Sequence, residues 1–359
     1  MTIATRPVPA PTAALADDDH ERIVVRQDAD TGLRFIVAVH STVLGPALGG
    51  MRIKRYPGGL TEALRDVMDL ARTMTLKAAA AGLDLGGGKA VMIDDGDAAR
   101  RLERLEAAAG VIDELGGAYI TAEDIGTSTS DMDHVARFTR YCTGRSVADG
   151  GGGDPSPVTA ESVFCAMRLG LAATTGSADL DGRRVGVIGL GKVGAALAGR
   201  LAAAGARVVA CDLDGERCER FATGAGMRVA PSAEAILAME LDVLAPCAAG
   251  GQIDEALARS IQTRVVAGAA NNPLTDRAVA RTLMERGILY VPDFLANCGG
   301  LIHVSGEWHG DGGGAADAAR IAHAMERLEQ AIRTAAAEGS TPLEVAERQA
   351  LERVEAGRN

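Results

Sequence analysis

The chain has 359 residues, of which 47% are hydrophobic and only 3% aromatic, and it carries a formal net charge of −11 with a pI near 5.1. The length favours two domains that face each other across a cleft, and the composition favours aliphatic helices packed on parallel strands. The acidic balance argues against a nucleic-acid partner, which requires clustered Lys and Arg, so we expect a small-molecule substrate.

Targeting, redox and metal signals are weak in this sequence. The Pro-, Ala- and Asp-rich residues 1–20 are interpreted as a disordered tail rather than a signal peptide. Six scattered cysteines without a C-x-x-C pair indicate reduced thiols in the cytoplasm, and six histidines without ligand spacing predict no metal site. No apolar run has the length of a membrane span, so no membrane partner is expected.

Strand and helix patterns alternate through the first half of the chain. Two β-rich runs flank a stretch of turn formers and predict a hairpin between residues 22–26 and residues 33–40. Beyond them, helical spacing alternates with short apolar runs. The predicted helices cover residues 61–80 and 98–115, and the predicted strands cover residues 90–93 and 118–121. This order predicts an N-terminal α/β domain.

The stretch from Ser146 to Ser156 reads SVADGGGGDPS, a composition that predicts a flexible loop rather than part of a core. We place the domain boundary here, with a substrate and catalytic domain over residues 21–148 and a nucleotide-binding domain over residues 149–329. A capping-box pattern at Thr341 predicts a C-terminal helix. Residues 330–359 are expected to join the first domain.

After this loop the pattern is that of a doubly wound parallel sheet. An apolar helix is expected first, with Ser156 as its N-cap and Pro157 at its first position. Five strands then alternate with helices. The predicted strands are Arg184–Ile188, Arg207–Cys211, Asp242–Ala245, Thr263–Ala267 and Ile288–Val291. The alternation predicts a Rossmann NAD-binding domain.

The first of these strands runs directly into a G-x-G-x-x-G motif formed by Gly189, Gly191 and Gly194. The glycines allow a tight turn, approach of a pyrophosphate and close packing of helix on strand. Asp212 ends the next strand, where an acid binds ribose hydroxyls and repels a 2′-phosphate. The motif therefore predicts NAD rather than NADP, although nearby Arg217 weakens that preference; a glycine-tolerant turn without a ligand is the alternative.

Two lysines flank a glycine-rich stretch in the first half. Lys77 ends a predicted helix, and Lys89 follows three glycines and precedes an apolar run, an unusual place for a solvated lysine. A phosphate loop is the rival interpretation, but five residues separate Gly82 from Gly88, and Ala90 stands where Ser or Thr is required. The context favours a functional site over two surface lysines.

At these residues the chain resembles the family of glutamate, leucine, phenylalanine and valine dehydrogenases, most closely its members that act on apolar amino acids. The likeness covers nearly the whole chain. Its matching stretches are Leu44–Gly50, Lys77–Lys89, Tyr119–Thr127, Gly268–Asn272 and Pro292–Gly300. The resemblance implies an NAD-dependent, reversible oxidative deamination of an apolar L-amino acid to its 2-oxo acid and ammonium, by a homo-oligomer.

The resemblance also implies roles for individual residues. Lys77 would hold the substrate carboxylate with backbone N–H groups of Gly49 and Gly50, Lys89 would be the general base, and Asp124 would hydrogen-bond that centre and relay protons. Asn272 would orient the substrate and the nicotinamide. The implied cofactor-binding set is Gly189, Gly191, Lys192, Val193, Gly194, Asp212, Ala248 and Asn272.

This chemistry requires such residue types. Two ammonium groups in a partly desolvated cleft repel each other, which favours the neutral form of one of them. A neutral Lys89 can activate the water that attacks the substrate iminium, and Asp124 can steady the positive charge that then develops. For Asp124 the sequence leaves open a purely structural role as a helix N-cap.

Substrate choice is expected to depend on three aliphatic side chains that the resemblance places around the substrate side chain, Leu48, Leu301 and Val304. They offer no partner for a glutamate carboxylate, and their bulk favours Leu, Val or Ile over Phe. A phenylalanine dehydrogenase of the same family is the alternative. A 2-hydroxy-acid dehydrogenase would need a His base and an Arg clamp, and a non-catalytic NAD-binding sensor would have no use for Lys89 and Asp124.

Overall fold

The computed structural model describes residues 19–225 and 227–358, which fall into two compact units. Unit 1 comprises residues 19–75 and 85–145, and unit 2 comprises residues 76–84, 146–225 and 227–358. The predicted tail, apart from its last two residues, lies outside the described residues. No helix of the described ranges is both long and apolar enough to cross a membrane.

Unit 1 is a five-stranded mixed sheet in the order β1-β2-β4-β3-β5. Its strands are β1 (Arg22–Asp28), β2 (Leu33–Ser41), β3 (Ala47–Lys54), β4 (Gly86–Ile93) and β5 (Tyr119–Glu123). Its helices are α1 (Gly59–Ala80), whose last turn belongs to unit 2, α2 (Arg101–Glu114) and α3 (Thr129–Val135), with a short 3₁₀ turn at Ala98–Arg100. The predicted hairpin is confirmed as the antiparallel pair of β1 and β2.

The sheet of unit 1 is covered by helices on both faces. On one face, Leu64 and Val67 of α1 pack with Ile36 and Val91 of the sheet. On the other face, a second cluster joins α2 and α3 to the sheet through buried aliphatic side chains. Because one sheet face meets α1 and the other meets α2 and α3, the alternating side chains of β2 and β4 are buried on both sides.

Two strands of unit 1 differ from the prediction. The run Gly86–Gly88 lies outside the predicted strand at residues 90–93, but it opens β4. Strand β3 was not predicted at all. The glycines are required by close packing rather than by turning: a Cβ on Gly87 would lie 2.0 Å from the backbone nitrogen of Thr75 in α1. Because periodicity is carried by side chains, a strand built from glycines lacks the signal that predicts it.

Unit 2 contains a six-stranded parallel sheet in the order β11-β10-β9-β6-β7-β8. The strands are β6 (Arg184–Ile188), β7 (Arg207–Cys211), β8 (Arg228–Val229), β9 (Val243–Pro246), β10 (Val265–Val266) and β11 (Leu289–Tyr290). The five predicted strands are confirmed, two of them shortened, and β8 is added. The order places the chain reversal between β6 and β9, the position at which doubly wound sheets bind ligands.

The helices of unit 2 begin with α4, which starts at Ser156 itself, so Pro155 rather than Ser156 occupies the N-cap. They are α4 (Ser156–Thr175), α5 (Lys192–Ala203), α6 (Gly215–Ala225), α7 (Ala233–Leu237), α8 (Glu255–Ser260), α9 (Val279–Glu285), α10 (Asp293–Ala296), α11 (Gly299–His309), α12 (Gly314–Glu338) and α13 (Pro342–Gly357). The capping box of α13 is confirmed: the Glu344 N–H donates to Thr341 Oγ1 at 3.2 Å, and the Thr341 N–H donates to the Glu344 carboxylate at 2.8 Å.

The units divide the chain differently from the predicted domains at two places. The boundary after residue 145 falls next to the predicted loop, but α13 belongs to unit 2 rather than to the first domain. It packs on α12, and Arg353 donates to the carbonyl oxygen of Leu83 at 2.7 Å. Residues 76–84 also belong to unit 2, where Arg327 of α12 donates to the carbonyl oxygen of Ala80 at 2.7 Å.

Candidate active site

An ion pair joins the buried Lys89 to the partly buried Asp124 in unit 1. Lys89 is on β4 and Asp124 directly follows β5, the two strands that flank β3. The Lys89 Nζ lies 3.0 Å from Asp124 Oδ2, and the lysine is only 5% exposed. A charged amine at such depth is costly without a partner, so the structure brings together the two residues predicted as catalytic.

Asp124 is fixed by a tight turn after β5. Its N–H donates to Thr127 Oγ1 at 2.8 Å, and the Thr127 hydroxyl donates to the carbonyl oxygen of Met51 at 3.0 Å. The following helix, α3, has Ser128 as its N-cap, with a complete capping box to Asp131. The structural alternative for Asp124 is therefore wrong, because another residue caps the helix.

Arg52 and Asp66 extend this centre, and sequence reasoning missed both. Arg52 Nε lies 2.8 Å from the same Asp124 Oδ2 that meets Lys89, and Arg52 Nη1 lies 3.1 Å from Asp66 Oδ2. The Tyr56 hydroxyl donates to that Asp66 oxygen at 2.6 Å. The available signal was an arginine two residues after Gly50, just beyond a stretch that was singled out as matching the family.

The two cations determine the charge of Asp124. Burial alone would raise the pKa of its carboxyl, but Lys89 and Arg52 outweigh burial and lower that pKa to about 2. Asp124 is thus a carboxylate across the neutral and alkaline pH range. Its Oδ2 carries this negative charge and accepts from both Lys89 and Arg52.

Gly49 and Gly50 on β3 allow the neighbouring strands to close around this pair. A Cβ on Gly49 would lie 1.8 Å from the carbonyl oxygen of Gly88, and one on Gly50 would lie 2.7 Å from Asp124 Cβ. The ladder between β3 and β4 pairs Leu48 with Gly87 and resumes at Met51, skipping both glycines. Leu48 itself is fully buried.

Lys77 belongs to unit 2, at the last turn of α1. Its Nζ donates to Asn271 Oδ1 at 3.1 Å, and the lysine is 9% exposed. Asn297 Nδ2 donates to the same oxygen at 2.9 Å and to the carbonyl oxygen of Ala269 at 3.1 Å. Asn271, which the prediction did not name, therefore orients Lys77.

Asn272 differs from Asn271 in its backbone conformation and in its contacts. It adopts a left-handed conformation with φ of 48°, the single positive φ of a non-glycine residue in the described ranges. Its N–H donates to Asp293 Oδ2 at 2.8 Å, and Tyr290 donates its hydroxyl to the other oxygen at 2.9 Å. Such a conformation costs about 1–3 kcal/mol outside glycine, and Asn is among the residues that tolerate it best.

Leu301 and Val304 lie one turn apart on α11 and are each 6% exposed. Their i, i+3 spacing places them on one face of the helix. Cys298 is the N-cap of the same helix; its thiol is fully buried, and burial raises its pKa to about 12. That thiol is unreactive at neutral pH.

The glycine motif of unit 2 has the shape that a dinucleotide needs. Gly189 has a φ of 105°, and a Cβ there would lie 2.8 Å from the backbone nitrogen of Ala248. A Cβ on Gly194 would lie 2.0 Å from the carbonyl oxygen of Gly189, whereas Gly191, at the N-cap of α5, faces open space. The backbone is therefore crowded where helix and strand pack, and open where a pyrophosphate would approach.

Asp212 is tied into this loop. Its carboxylate accepts from the Leu190 N–H at 2.6 Å and from the Asp214 N–H at 2.9 Å, and Arg217 Nη1 lies 3.6 Å away. Burial raises the pKa of Asp212, but the two backbone donors and Arg217 outweigh it and hold that pKa below its usual value. Beside the loop lies a cavity of about 510 Å³, lined by Gly191, Lys192 and residues of α6. These residues fit NAD.

A doubly wound sheet with this loop and acid, together with a buried Lys–Asp pair, defines an NAD-linked oxidoreductase. Two family profiles match the chain, "Glu/Leu/Phe/Val dehydrogenase, dimerisation domain" over residues 20–141 and "Glutamate/Leucine/Phenylalanine/Valine dehydrogenase" over residues 214–357. The chain belongs to this family and is an amino acid dehydrogenase. A third profile, the NAD-binding domain of D-isomer specific 2-hydroxyacid dehydrogenases, matches only residues 168–245.

Relatives of known activity agree with that assignment. The chain is 44% identical over 293 residues to valine dehydrogenase of Streptomyces virginiae, covering 81% of this chain and 82% of the relative. It is 41% identical over 292 residues to leucine dehydrogenase of Bacillus subtilis strain 168, covering 81% and 80%. The crystal structure of L-tryptophan dehydrogenase from Nostoc punctiforme superposes with a TM-score of 0.80 at 31% identity, covering 95% of this chain and 97% of that one.

Proposed function

We propose that this enzyme oxidatively deaminates a branched-chain L-amino acid, Leu, Val or Ile, to its 2-oxo acid and ammonium, and catalyses the reverse reductive amination. The observation that carries the proposal is the buried pair of Lys89 and Asp124 in a chain 41–44% identical to enzymes named for leucine and valine. An amine held by a carboxylate in a nearly dry position suits proton transfer to and from water.

In this proposal the two lysines have separate tasks. Lys77, oriented by Asn271, binds the substrate carboxylate together with backbone N–H groups of Gly49 and Gly50. Lys89 Nζ takes a proton from the water that attacks the oxidised substrate. Asp124 stays ionised and stabilises the positive charge that builds on Lys89, a role that its low pKa favours over that of a proton relay.

NAD supplies the hydride acceptor when it is bound. Gly189, Gly191 and Gly194 would admit its pyrophosphate, and Asp212 would accept from the ribose hydroxyls. Lys192, Val193, Ala248 and Asn272 complete the proposed set.

The substrate side chain is proposed to meet Leu48, Leu301 and Val304. All three are aliphatic, so a glutamate side-chain carboxylate would be buried without a partner, at a cost of several kcal/mol. Among apolar substrates the choice depends on volume, since one methylene changes discrimination by about 1–3 kcal/mol. The pocket should therefore take a branched aliphatic chain before an aromatic ring.

The deciding experiment is kcat/KM for Leu, Val, Ile, Phe, Trp and Glu with NAD, measured side by side from NADH absorbance. We expect a branched-chain substrate to lead and Glu to be rejected. Leu301→Ala should shift preference toward Phe by about tenfold or more. Ile302→Ala, the adjacent residue pointing about 100° away, is the matched control and should leave the preference unchanged.

Turnover with none of these amino acids would overturn the proposed reaction. A native preference for Phe or Trp would overturn the branched-chain assignment and the pocket with it. If Leu301→Ala and Ile302→Ala behave alike, Leu301 does not contact the substrate.

Two further parts of the proposal concern the oligomeric state and the cellular location of the enzyme. The first is a homo-oligomer that assembles through unit 1, supported by the dimerisation-domain profile over residues 20–141. The second is a cytoplasmic location, supported by six cysteines that are all free thiols, the state that a reducing compartment maintains.

A further inference from the structure

One carboxylate oxygen of unit 1 serves two cations. Asp124 Oδ2 lies 3.0 Å from Lys89 Nζ and 2.8 Å from Arg52 Nε. The side chains of Lys89 and Arg52 are only 7% and 12% exposed. On its other side, Arg52 Nη1 lies 3.1 Å from Asp66 Oδ2. The four groups form a chain of alternating charge, from Lys89 through Asp124 and Arg52 to Asp66.

This series of alternating charges bears on catalysis because a general base must lose its proton before it can act. A carboxylate 3.0 Å from an amine favours the ammonium form, and the effect is strong where water is scarce. Arg52 opposes this by donating a hydrogen bond to the same oxygen and by adding a positive charge nearby.

Arginine is suited to this task because its guanidinium remains charged at any working pH. Two other carboxylates and two phenols belong to the same surroundings: Asp66 on α1, Glu123 next to Asp124 on β5, Tyr56, and Tyr119, whose hydroxyl donates to the carbonyl oxygen of Gly49. Burial raises the pKa of Tyr56 and that of Tyr119 well above the ordinary value of a phenol, so both side chains stay neutral. The fixed charges around Lys89 are thus the carboxylates and Arg52.

We propose that Arg52 is a positioning residue that sets the protonation of Lys89, by sharing Asp124 Oδ2 with it and by being held in place through Asp66. The proposal rests on the proposed role of Lys89 as general base. In the resting enzyme the Lys89 ammonium releases one proton to solvent, and its free amine then accepts one proton from the attacking water. Arg52 moves the first of these equilibria toward the amine.

The proposal predicts opposite effects from the two ends of the charge chain. In Arg52→Gln, Asp124 is paired with Lys89 alone, which favours the ammonium form of Lys89. The acid limb of the plot of kcat/KM against pH should therefore move to higher pH by about one unit or more. Asp66→Asn keeps the shape and an acceptor for Tyr56 but removes a negative charge from Arg52. Its acid limb should move to lower pH.

The experiment is the pH dependence of kcat/KM for the best amino acid, on full-length wild type, Arg52→Gln, Arg52→Lys and Asp66→Asn. Arg52→Lys retains the charge and should return the limb toward the wild-type position. Arg104→Gln is the matched control, because Arg104 is a buried arginine of the same unit whose Nη1 lies 2.8 Å from Asp95, not Asp124. It removes the same charge and should leave the limb in place.

An unmoved limb in Arg52→Gln, or shifts of the same sign in Arg52→Gln and Asp66→Asn, would overturn the inference. If circular dichroism shows that Arg52→Gln does not fold, the direction of the pH shift in Asp66→Asn still decides whether the inference holds. Failure of the underlying function is recognised separately: Lys89→Ala would then retain the wild-type rate, whatever the arginine variants do.

Discussion

Lys89 and Lys77 are both nearly buried, but their observed partners differ in kind. Lys89 faces the carboxylate of Asp124, whereas Lys77 donates to the amide oxygen of Asn271. A carboxylate changes the proton affinity of an amine, while a neutral amide mainly fixes its direction. These contacts agree with the proposed division of roles, in which Lys89 exchanges protons and Lys77 positions the substrate carboxylate.

Substituting each lysine in turn should distinguish the proposed roles of Lys89 and Lys77. Lys89→Ala should lower kcat by about two or more orders of magnitude, the range of acid–base catalysis, with NADH binding retained. Lys77→Ala should instead raise the substrate KM strongly. Steady-state kinetics and NADH fluorescence titration measure both effects, with the exposed Lys54→Ala as the control expected near wild type. Wild-type rates in both variants would show that neither lysine takes part.

Sequence reasoning singled out both lysines and the glycine motif from local patterns, and it named Asp124 from the family resemblance. It missed Arg52, whose role depends on Asp66, fourteen positions further along and on a helix. It also named Asn272 and not Asn271. The two are adjacent and chemically identical; in the structure Asn271 accepts from Lys77, whereas Asn272 has the left-handed backbone.

At the scale of elements, the glycine-rich strands β3 and β4 and the turn after β7 contain many of the candidate active-site residues. A Cβ on Gly88 would lie 2.7 Å from the ring of Tyr119, and one on Gly49 would lie 1.8 Å from the Gly88 carbonyl oxygen. These strands can approach closely only without side chains. Their glycines resemble turn signals in the sequence, which is why β3 and the start of β4 were not predicted, whereas the Val- and Leu-rich strands of unit 2 were.

The turn from β7 into α6 should determine which dinucleotide binds. Asp212→Ala should weaken NAD more than NADP, because it removes an acceptor for ribose hydroxyls and a charge that repels a 2′-phosphate, and leaves Arg217 nearby. Asp212→Asn retains an acceptor for the Leu190 N–H and separates the charge effect from the loop effect. Dissociation constants for both dinucleotides, by fluorescence titration, measure the outcome. A wild-type preference for NADP would contradict it.

At the scale of the whole molecule, two α/β units and the parallel sheet followed from the rhythm of strands and helices. The allocation of residues 330–359 did not, since it depends on contacts such as Arg353 with Leu83, which are 270 positions apart. Helix α13 itself was predicted from its capping box, a signal contained within four residues. Local patterns thus predicted the element, and tertiary contacts determined its unit.

Assembly is the property of the whole molecule that most needs measurement. In the described part of unit 1, β1 forms an edge of the sheet and Val25 is 39% exposed, and an open edge strand readily pairs with a second chain. We expect light scattering to give a multiple of 36.8 kDa. Val25→Lys should lower that mass, whereas Leu351→Lys, at an exposed leucine of unit 2, should not. A mass of one chain at all concentrations would contradict the prediction.

The burial of Lys77 and Lys89 has a practical consequence for chemical labelling. The chain has only four lysines among its 37 basic Lys and Arg residues, and the other two are Lys54 and Lys192. Lys192 lies in the glycine motif with its side chain 66% exposed. Within the described part of the chain, reagents that acylate amines, or resins that couple through them, would therefore attach at Lys54 or Lys192. If Lys192 binds the dinucleotide as proposed, coupling there would compete with it.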